Sequence, residues 1–163
     1  MAVDAILRIE GPAIKGESKV DKHDEDIDIY SWSFGMTQSG TFHTGGGGGA
    51  GKVNVQDLSI TKYVDASTCD LMLHCCNGAH IDKATLFIRK SGGKDNLEYI
   101  KIEMEKLMVT SVQPAGSPGD ELIMESVTFN FAKFKVIYQS QDDKGGKKKE
   151  YDMKWDMEKN KSA

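Results

Sequence analysis

Most of the chain alternates apolar and polar residues with a period of two, which is the pattern of β-strands that bury one face. The pattern recurs along the chain and predicts a strand wherever it holds. The predicted strands are Val3–Glu10, Ile27–Gln38, Val53–Val64, Ala84–Lys90, Ile100–Val109, Val127–Tyr138 and Tyr151–Glu158.

The alternation slips by one residue in two of these segments. In Val127–Tyr138 the apolar set shifts after Ala132 and Lys133, and in Ile100–Val109 it shifts after Met104. We interpret the first slip as a β-bulge, because a bulge bends a long strand as the closure of a barrel requires.

One segment, Ser67–Asn77, has helical spacing instead. It begins with Ser67 and Asp70 as a capping box, and Asn77-Gly78 supplies the left-handed stop. Its predicted apolar stripe consists of Leu71, Met72, Cys75 and Cys76. The sequence therefore predicts a mainly β fold: a small closed β-barrel of antiparallel strands, one short flanking helix at about Ser67–Asn77, and a long glycine-rich extended loop.

Turn-forming residues mark the connections between these elements. Ser91–Asn96 predicts a hairpin turn between antiparallel strands, and Pro114–Gly119 predicts a second loop between strands. Gln141–Lys149 predicts a polar connector before the last strand.

Length and composition fit a single domain over residues 1–163. Of the 163 residues 39% are hydrophobic and 28% charged, so a core can form and wholesale disorder is excluded. The net charge of −4 argues against a dedicated nucleic-acid binder. No segment approaches the roughly 18 apolar residues of a membrane span, and Met1–Glu10 lacks the apolar core of a signal peptide.

Three cysteines and two histidines cluster around the predicted helix. They are Cys69, His74, Cys75, Cys76 and His80. Their spacing does not match the paired halves of zinc sites, and buried small hydrophobes are the better account of the cysteines. No third group orients a cysteine–histidine pair, so we expect no metal, no cofactor and no catalytic residue. The odd number of cysteines excludes a complete disulfide framework, which favours folding in a reducing cytoplasm.

Two charged runs have a solvated loop as their default interpretation. The acidic run Asp21–Asp28 lacks the Asp-x-Asp-x-Asp-Gly pattern of a calcium loop. The basic run Lys144–Lys149 predicts a solvated turn or a complement to an acidic neighbour.

A glycine tract, Gly45–Gly49, lies between two predicted strands. With Gly51 and Lys52 it fits most of a phosphate-binding loop, but Val53 stands where Ser or Thr would bind magnesium, and a strand follows instead of a helix. Glycines lose the most backbone entropy on ordering, so the tract holds a shape only when it docks. We therefore predict that the loop bridges subunits or rings. Its predicted contact residues are Gln38, Ser39, Phe42, His43, Gly45, Gly46, Gly47, Gly48, Gly49 and Lys52.

The segments on both sides of the tract resemble a known family. Gly35–Gly40 and Gly51–Asp65 are similar to the signature of the haemolysin-coregulated protein (Hcp) family, the tube protein of the bacterial type VI secretion system. Further similar segments are Lys15–Ser18, Trp32, Ala84–Lys90 and Val127–Ala132, so the resemblance covers nearly the whole chain.

The resemblance implies a structural tube component and not an enzyme. Six copies of such a barrel close into a ring around a lumen, and the rings stack into a tube. The tube lies inside a contractile sheath, is topped by a valine-glycine repeat spike protein, and carries or chaperones small effector proteins in its lumen. A chain of this kind is made in the cytoplasm and then secreted to the extracellular space or a target cell without a cleaved signal peptide. Neither nucleic-acid binding nor membrane insertion is expected.

A lumen that passes varied cargo needs small polar groups on its wall. Ser31 and Ser33 alternate with apolar residues in Ile27–Gln38, and we expect both serines to contact the lumen and its effectors. The opposite face, predicted to be core, carries Tyr30, Trp32, Phe34 and Met36. Two alternatives stay open: a monomeric barrel that binds a carbohydrate or peptide through an aromatic patch, and a nucleotide enzyme built on Gly46–Lys52.

Overall fold

The computed structural model describes residues 3–43, 49, 51–90 and 97–163. Over these residues the chain forms ten β-strands and one α-helix, which confirms the predicted mainly β fold. The strands are β1 (Val3–Glu10), β2 (Ile27–Ile29), β3 (Ser31–Ser33), β4 (Met36–Thr37), β5 (Asn54–Val55), β6 (Leu58–Tyr63), β7 (His80–Lys90), β8 (Leu97–Ala115), β9 (Met124–Gln141) and β10 (Lys147–Asp156). The helix, α1, spans Thr68–Asn77.

The main sheet is antiparallel and curls into a nearly closed barrel. Its strands follow the order β2, β1, β7, β8, β9, β6 and β3, and β10 pairs with β9 outside this path. β2 and β3 lie at opposite ends of the order but are joined in the chain by Tyr30. The Tyr30 N–H donates a hydrogen bond of 2.8 Å to the Thr61 carbonyl in β6. The two ends of the sheet therefore meet, and the predicted barrel is confirmed.

The barrel interior is filled by alternate residues of the strands, as a strand with one buried face requires. Examples are Leu7 and Ile9 in β1, Leu58 and Ile60 in β6, Leu86 and Ile88 in β7, and Val127 and Phe129 in β9. α1 packs onto this core through the fully buried side chain of Leu71. The outward face is exposed in β3 but covered in most of β7, where Thr85, Phe87 and Arg89 are also buried.

The prediction of one strand over Ile27–Gln38 is wrong, because the chain changes its pairing partner at Tyr30. β2 pairs with β1, whereas β3 pairs with β6. Tyr30 and Ser31 are both exposed at this junction, so the predicted common apolar face is broken. Tyr30 is 68% exposed, while Trp32 and Phe34 pack against the core.

The predicted strand Val53–Val64 is also divided, into β5 and β6. β5 pairs with β4 in a separate two-stranded sheet, with Met36 opposite Val55 and Thr37 opposite Asn54. Met36, which was predicted to be core, therefore lies outside the barrel and is exposed. This small sheet is the base from which the glycine-rich loop extends.

The two slips of alternation lie opposite each other in the paired strands β8 and β9. On one side of the step Met104 pairs with Phe134, and on the other Leu107 pairs with Phe131. Two residues on each strand separate these buried pairs, where regular alternation would place one. The backbone of β8 accommodates the extra residue at Lys106, which has a φ of 56°. The predicted bulge in β9 is therefore wrong, because both strands carry the extra residue and their register is kept. The register shift between these strands lies instead between Val109 and Ser111 of β8.

α1 confirms the predicted helix, but it begins differently from the prediction. Ser67 is the N-cap residue and makes no side-chain hydrogen bond to the helix. Its hydroxyl donates to Asp65 Oδ1 instead, so the predicted capping box with Asp70 is wrong. Gly78 ends the helix with a φ of 65°, as predicted.

The predicted connections agree with the structure in part. β7 and β8 are antiparallel neighbours, as a hairpin requires, but the turn Ser91–Asn96 lies outside the described residues. β8 continues to Ala115, so the second loop covers residues 116–123. The polar connector is shortened to residues 142–146, because the following lysines belong to β10. Within the described ranges no helix has the length and apolar character needed to cross a membrane.

Candidate functional site

Ser31 and Ser33 lie on the outer surface of the barrel, in β3. Both are exposed, and the residue between them, Trp32, is partly buried against the core. β3 pairs with β6 so that Ser31 lies opposite Thr61 and Ser33 lies opposite Ser59. The two serines therefore begin a larger polar surface.

Two rows of uncharged polar residues cross four strands on this surface. The strand register carries each row from β3 through β6 and β9 to β8. The first row is Ser33, Ser59, Thr128 and Ser111, and the second is Ser31, Thr61, Ser126 and Gln113. We call these residues the hydroxyl face. Sequence reasoning found only its two β3 members, because the others are brought to it by long-range strand pairing.

Hydrogen bonds fix the first row along its edge. The Thr128 hydroxyl lies 2.6 Å from Oγ1 of Thr110 and 2.6 Å from Oγ of Ser111. Thr110 donates to Asp57 Oδ2 at 2.9 Å, and Asn130 Nδ2 donates to Asp57 Oδ1 at 2.8 Å. The carboxylate beside the hydroxyl face is thus held through both of its oxygens.

A buried ion pair lies on the inner side of the same strands. Lys62 of β6 and Glu125 of β9 are cross-strand partners that are 0% and 1% exposed, and Lys62 Nζ lies 2.5 Å from Glu125 Oε1. Lys62 also donates to Asp65 Oδ1 at 2.8 Å. Thr68 of α1 donates to Glu125 Oε1 at 2.8 Å. The pair therefore ties the helix to the barrel, and sequence reasoning missed it.

The predicted contact loop forms an arm that leaves the barrel from the β4–β5 sheet. Its described residues, which we call the glycine arm, are 38–43, 49, 51 and 52. The two branches contact each other, since the Thr41 hydroxyl donates to the Gly49 carbonyl at 2.6 Å. Phe42 is 87% exposed. Of the other predicted contact residues, Gln38, Ser39, His43, Gly49 and Lys52 are exposed, and Gly45, Gly46, Gly47 and Gly48 lie outside the described residues.

Two groups of exposed apolar side chains lie near opposite ends of β9. The proximal patch consists of Tyr30, Tyr63, Val64, Leu122 and Ile123. It is continuous, since the rings of Tyr30 and Tyr63 are 6.0 Å apart and the Val64 N–H donates to the Ile123 carbonyl at 2.9 Å. The distal patch consists of Met36, Tyr138, Tyr151 and Met153. Its two tyrosine rings stack with centroids 6.3 Å apart.

The segment that contains the motif Lys15–Ser18 packs along the chain that enters β2. Gly16 N–H donates to the Glu25 carbonyl at 2.8 Å, and Ser18 N–H donates to the Asp26 carbonyl at 3.0 Å. Gly16 is buried in this contact. The motif therefore holds the long connection between β1 and β2 against the barrel.

The acidic run 21–28 was predicted to be a solvated loop. This prediction is wrong for Asp26, which is buried. Arg8 of β1 donates to Asp26 Oδ2 through Nη2 at 2.9 Å, and this hydrogen-bonded carboxylate raises the pKa of the Arg8 guanidinium. His23 places Nδ1 2.9 Å from Asp26 Oδ2 and Nε2 2.6 Å from Glu98 Oε1. These contacts attach the segment to β1 and β8.

The predicted interpretation of the cysteines as buried hydrophobes is wrong for two of them. Cys69 and Cys76 are exposed, and Cys75 is partly buried against the core. Leu71 and Cys75 lie four residues apart and share the face of α1 that meets the barrel, so Cys76 falls outside it. Within the described part of the chain, no group of three His, Cys, Asp or Glu residues could hold a metal ion.

The geometry does not support the two alternatives, a barrel that binds a ligand through an aromatic patch and a nucleotide enzyme built on Gly46–Lys52. Trp32 and Phe34 pack against the core while Tyr30 faces solvent, so the three do not form one aromatic binding surface. Lys52 and Val53 lead into the short strand β5, whereas a phosphate-binding loop leads into a helix.

Known proteins share both the sequence and the fold of this chain. A family model described as "Type VI secretion system effector, Hcp" matches residues 6–138. The chain is 48% identical over 147 residues to Protein hcp1 of Pseudomonas aeruginosa, with 90% of each chain covered. It is 35% identical to Hcp1 from Salmonella typhimurium, whose crystal structure matches with a TM-score of 0.81 over 100% of both chains.

A further solved structure, of a type six secretion system protein, matches with a TM-score of 0.92 over 99% of this chain and 100% of that chain. At 24% identity it supports the fold alone. The family model covers most of the chain, and the two relatives above share more than a third of its residues. The chain therefore belongs to the Hcp family of the type VI secretion system.

Proposed function

We propose that this chain is the tube component of a bacterial type VI secretion system, with six copies closing into rings that stack into a tube. Membership of the Hcp family supports the assembly. The main structural support for the tube role is the hydroxyl face, because it offers a wall along which other proteins can pass.

We assign the hydroxyl face to the lumen of the ring. Its two rows contain no charged and no large apolar residue, so they neither attract nor repel cargo of either sign. Serine and threonine are also under-represented among the residues that dominate binding energy. A surface of this kind holds effector proteins weakly and lets them leave again.

The glycine arm is assigned to contacts between copies. The Phe42 ring is 87% exposed, and covering it by a neighbouring copy removes apolar surface from water. The arm begins beyond the barrel, at the β4–β5 sheet, so it can reach a second chain without disturbing the core.

On this proposal the partners are further copies of the chain, a valine-glycine repeat spike protein, a contractile sheath and small effector proteins in the lumen. The chain is made in the cytoplasm and secreted to the extracellular space or a target cell without a cleaved signal peptide. The role is mechanical, and the proposal assigns it no catalytic step and no cofactor.

Negative-stain electron microscopy and light scattering of the purified chain test the assembly. We expect annular particles with an open centre and a mass of roughly six chains. Deleting Gly45–Gly49 should weaken the rings or their stacking, whereas deleting the exposed terminal residues Ser162 and Ala163 should not. A chain that stays monomeric at high concentration would overturn the proposal. Unaltered rings and filaments in the glycine deletion would remove only the role of the arm.

Replacing Ser33 by Gln tests the lumen assignment. The longer amide side chain would stand out from the serine and threonine side chains around Ser33, so we expect several-fold less effector to be retained while rings still assemble. Mass spectrometry of the proteins that co-purify with the rings measures retention. Ser162→Gln, a matched change at an exposed position outside this face, should have no effect. Equal retention by all three proteins would refute the assignment.

A further inference from the structure

The proximal patch borders an open hollow at the start of β9. The hollow has a volume of about 490 Å³, and its lining includes Tyr63, Glu121 and Leu122. Leu122 is 62% exposed and Ile123 is 51% exposed. Continuous exposed apolar surface with a polar rim is characteristic of protein contact sites.

The distal patch borders a second cavity, between β10 and the β4–β5 sheet. Met36, Val55, Phe134, Met153 and Trp155 are among the residues that line this volume of about 390 Å³, and the lining includes no charged residue. Among the described strands β10 pairs with β9 alone, and its other edge is bridged at Asp156 by Lys161. Nearer the patch, this edge is not covered by a described strand and is open to pairing with another chain.

The two patches cannot cover each other within one chain. Tyr63 pairs with Met124 at the start of β9, and Tyr151 pairs with Tyr138 near its end. At about 3.3 Å per residue, this length of strand separates the two tyrosine pairs by roughly 45 Å along β9. Any cover for either patch must therefore come from another molecule. A ring of identical copies uses two unlike surfaces on every copy, since each contact joins one surface to the other.

Charge distinguishes the two patches. Asp120 and Glu121 line the hollow beside the proximal patch, and Asp120 already accepts a hydrogen bond of 2.7 Å from the Ser117 N–H. At the distal patch Lys149 places Nζ 4.8 Å from the centroid of the Tyr151 ring. A contact between two like patches would bring like charges together, whereas a contact between unlike patches pairs a carboxylate with an ammonium group.

We propose that the proximal patch of one copy binds the distal patch of the next copy in the ring, with Glu121 facing Lys149. The inference rests on the proposed function and names the surfaces that close the ring. The apolar side chains of the two patches supply the buried area, and the charge pair fixes which patch meets which.

Charge reversal in the full-length chain tests this pairing. Glu121 and Lys149 are both exposed, so Glu121→Lys and Lys149→Glu leave the core untouched. Each change places like charges across the contact, and we expect the concentration at which half of the chains are in rings to rise about tenfold or more. The double variant E121K/K149E should assemble like the unaltered chain. Light scattering over a dilution series measures the mass.

Mixing the two single variants gives a sharper result. In a ring where they alternate, every contact pairs opposite charges, so an equimolar mixture should form rings at concentrations where each variant alone does not. Asp24→Lys, an exposed reversal in the segment between β1 and β2, is the matched control and should not change assembly.

The outcomes separate this inference from the proposed function. A monomeric unaltered chain would overturn both. Unaltered rings with unaffected single variants would overturn the pairing and leave the tube role standing. Single variants that form rings but no stacks would place the contact between rings and also overturn the pairing.

Discussion

Replacing Lys62 by Met is expected to lower the free energy of unfolding by about 3–5 kcal/mol, because it leaves the Glu125 carboxylate unpaired inside the barrel. Glu125 is 1% exposed, and its Oε2 has no hydrogen-bond partner in the described part of the chain. Its Oε1 depends on Lys62 and on Thr68. Methionine fills the space of the lysine side chain without supplying a donor. Urea denaturation measures the difference in the free energy of unfolding. The unaltered chain and the variant are compared at protein concentrations where both have the same oligomeric state.

Two controls separate the effect of the unpaired charge from a general effect of losing a lysine. The double variant K62M/E125M removes both charges and should recover most of the lost stability. Lys106→Met breaks an exposed ion pair, of 3.2 Å between Lys106 Nζ and Glu158 Oε2, and should change stability little. A loss from Lys62→Met no larger than that from Lys106→Met would contradict the prediction.

Gly16→Ala is expected to destabilise the chain by about 1–3 kcal/mol, the range for adding a methyl group where there is no room. A Cβ atom at this position would lie 2.6 Å from the Asp26 carbonyl oxygen and 2.8 Å from the Ile27 Cα. Both are backbone atoms, so neither can move away as a flexible side chain would. The segment must shift from β2, which strains the hydrogen bond from Gly16 to Glu25. Chemical denaturation measures the loss.

Gly40→Ala is the matched control, because a Cβ atom there would meet nothing within 4 Å. We expect its stability to be nearly unchanged. Hydrogen exchange adds a local reading, since the amides of Ser18 and Glu25 bond across this contact and should exchange faster in Gly16→Ala alone. Equal stability of the two variants would show that the segment can move off β2 freely.

The sequence predicts a strand well where its neighbours stay the same along its length. β1 has the predicted bounds, Val3–Glu10, because it pairs with the same neighbour, β7, over its whole length. The prediction fails at Tyr30, where the chain leaves the edge of β1 and joins β6. A period of two records which face is buried, but it does not record which strand lies alongside.

The candidate site shows the same limit. Ser31 and Ser33 could be identified as exposed from their own strand, whereas Thr128 and Ser111 join them only through the register of β9 and β8. Lys62 was within reach of sequence reasoning, because it continues the inward row of Leu58 and Ile60. A lysine at such a position requires a buried acidic partner. Its identity, Glu125, still depends on strand pairing.

Because the extra residue in β8 lies opposite the extra residue in β9, the two strands can be exchanged between homologues only together. A chimaera that took β9 alone from a protein with unbroken alternation would turn the apolar residues beyond the step to solvent, since a slip of one residue inverts a strand. The partner pairs Met104–Phe134 and Leu107–Phe131 survive only when both strands gain or lose the residue together. Grafts between homologues should therefore exchange the hairpin as a whole.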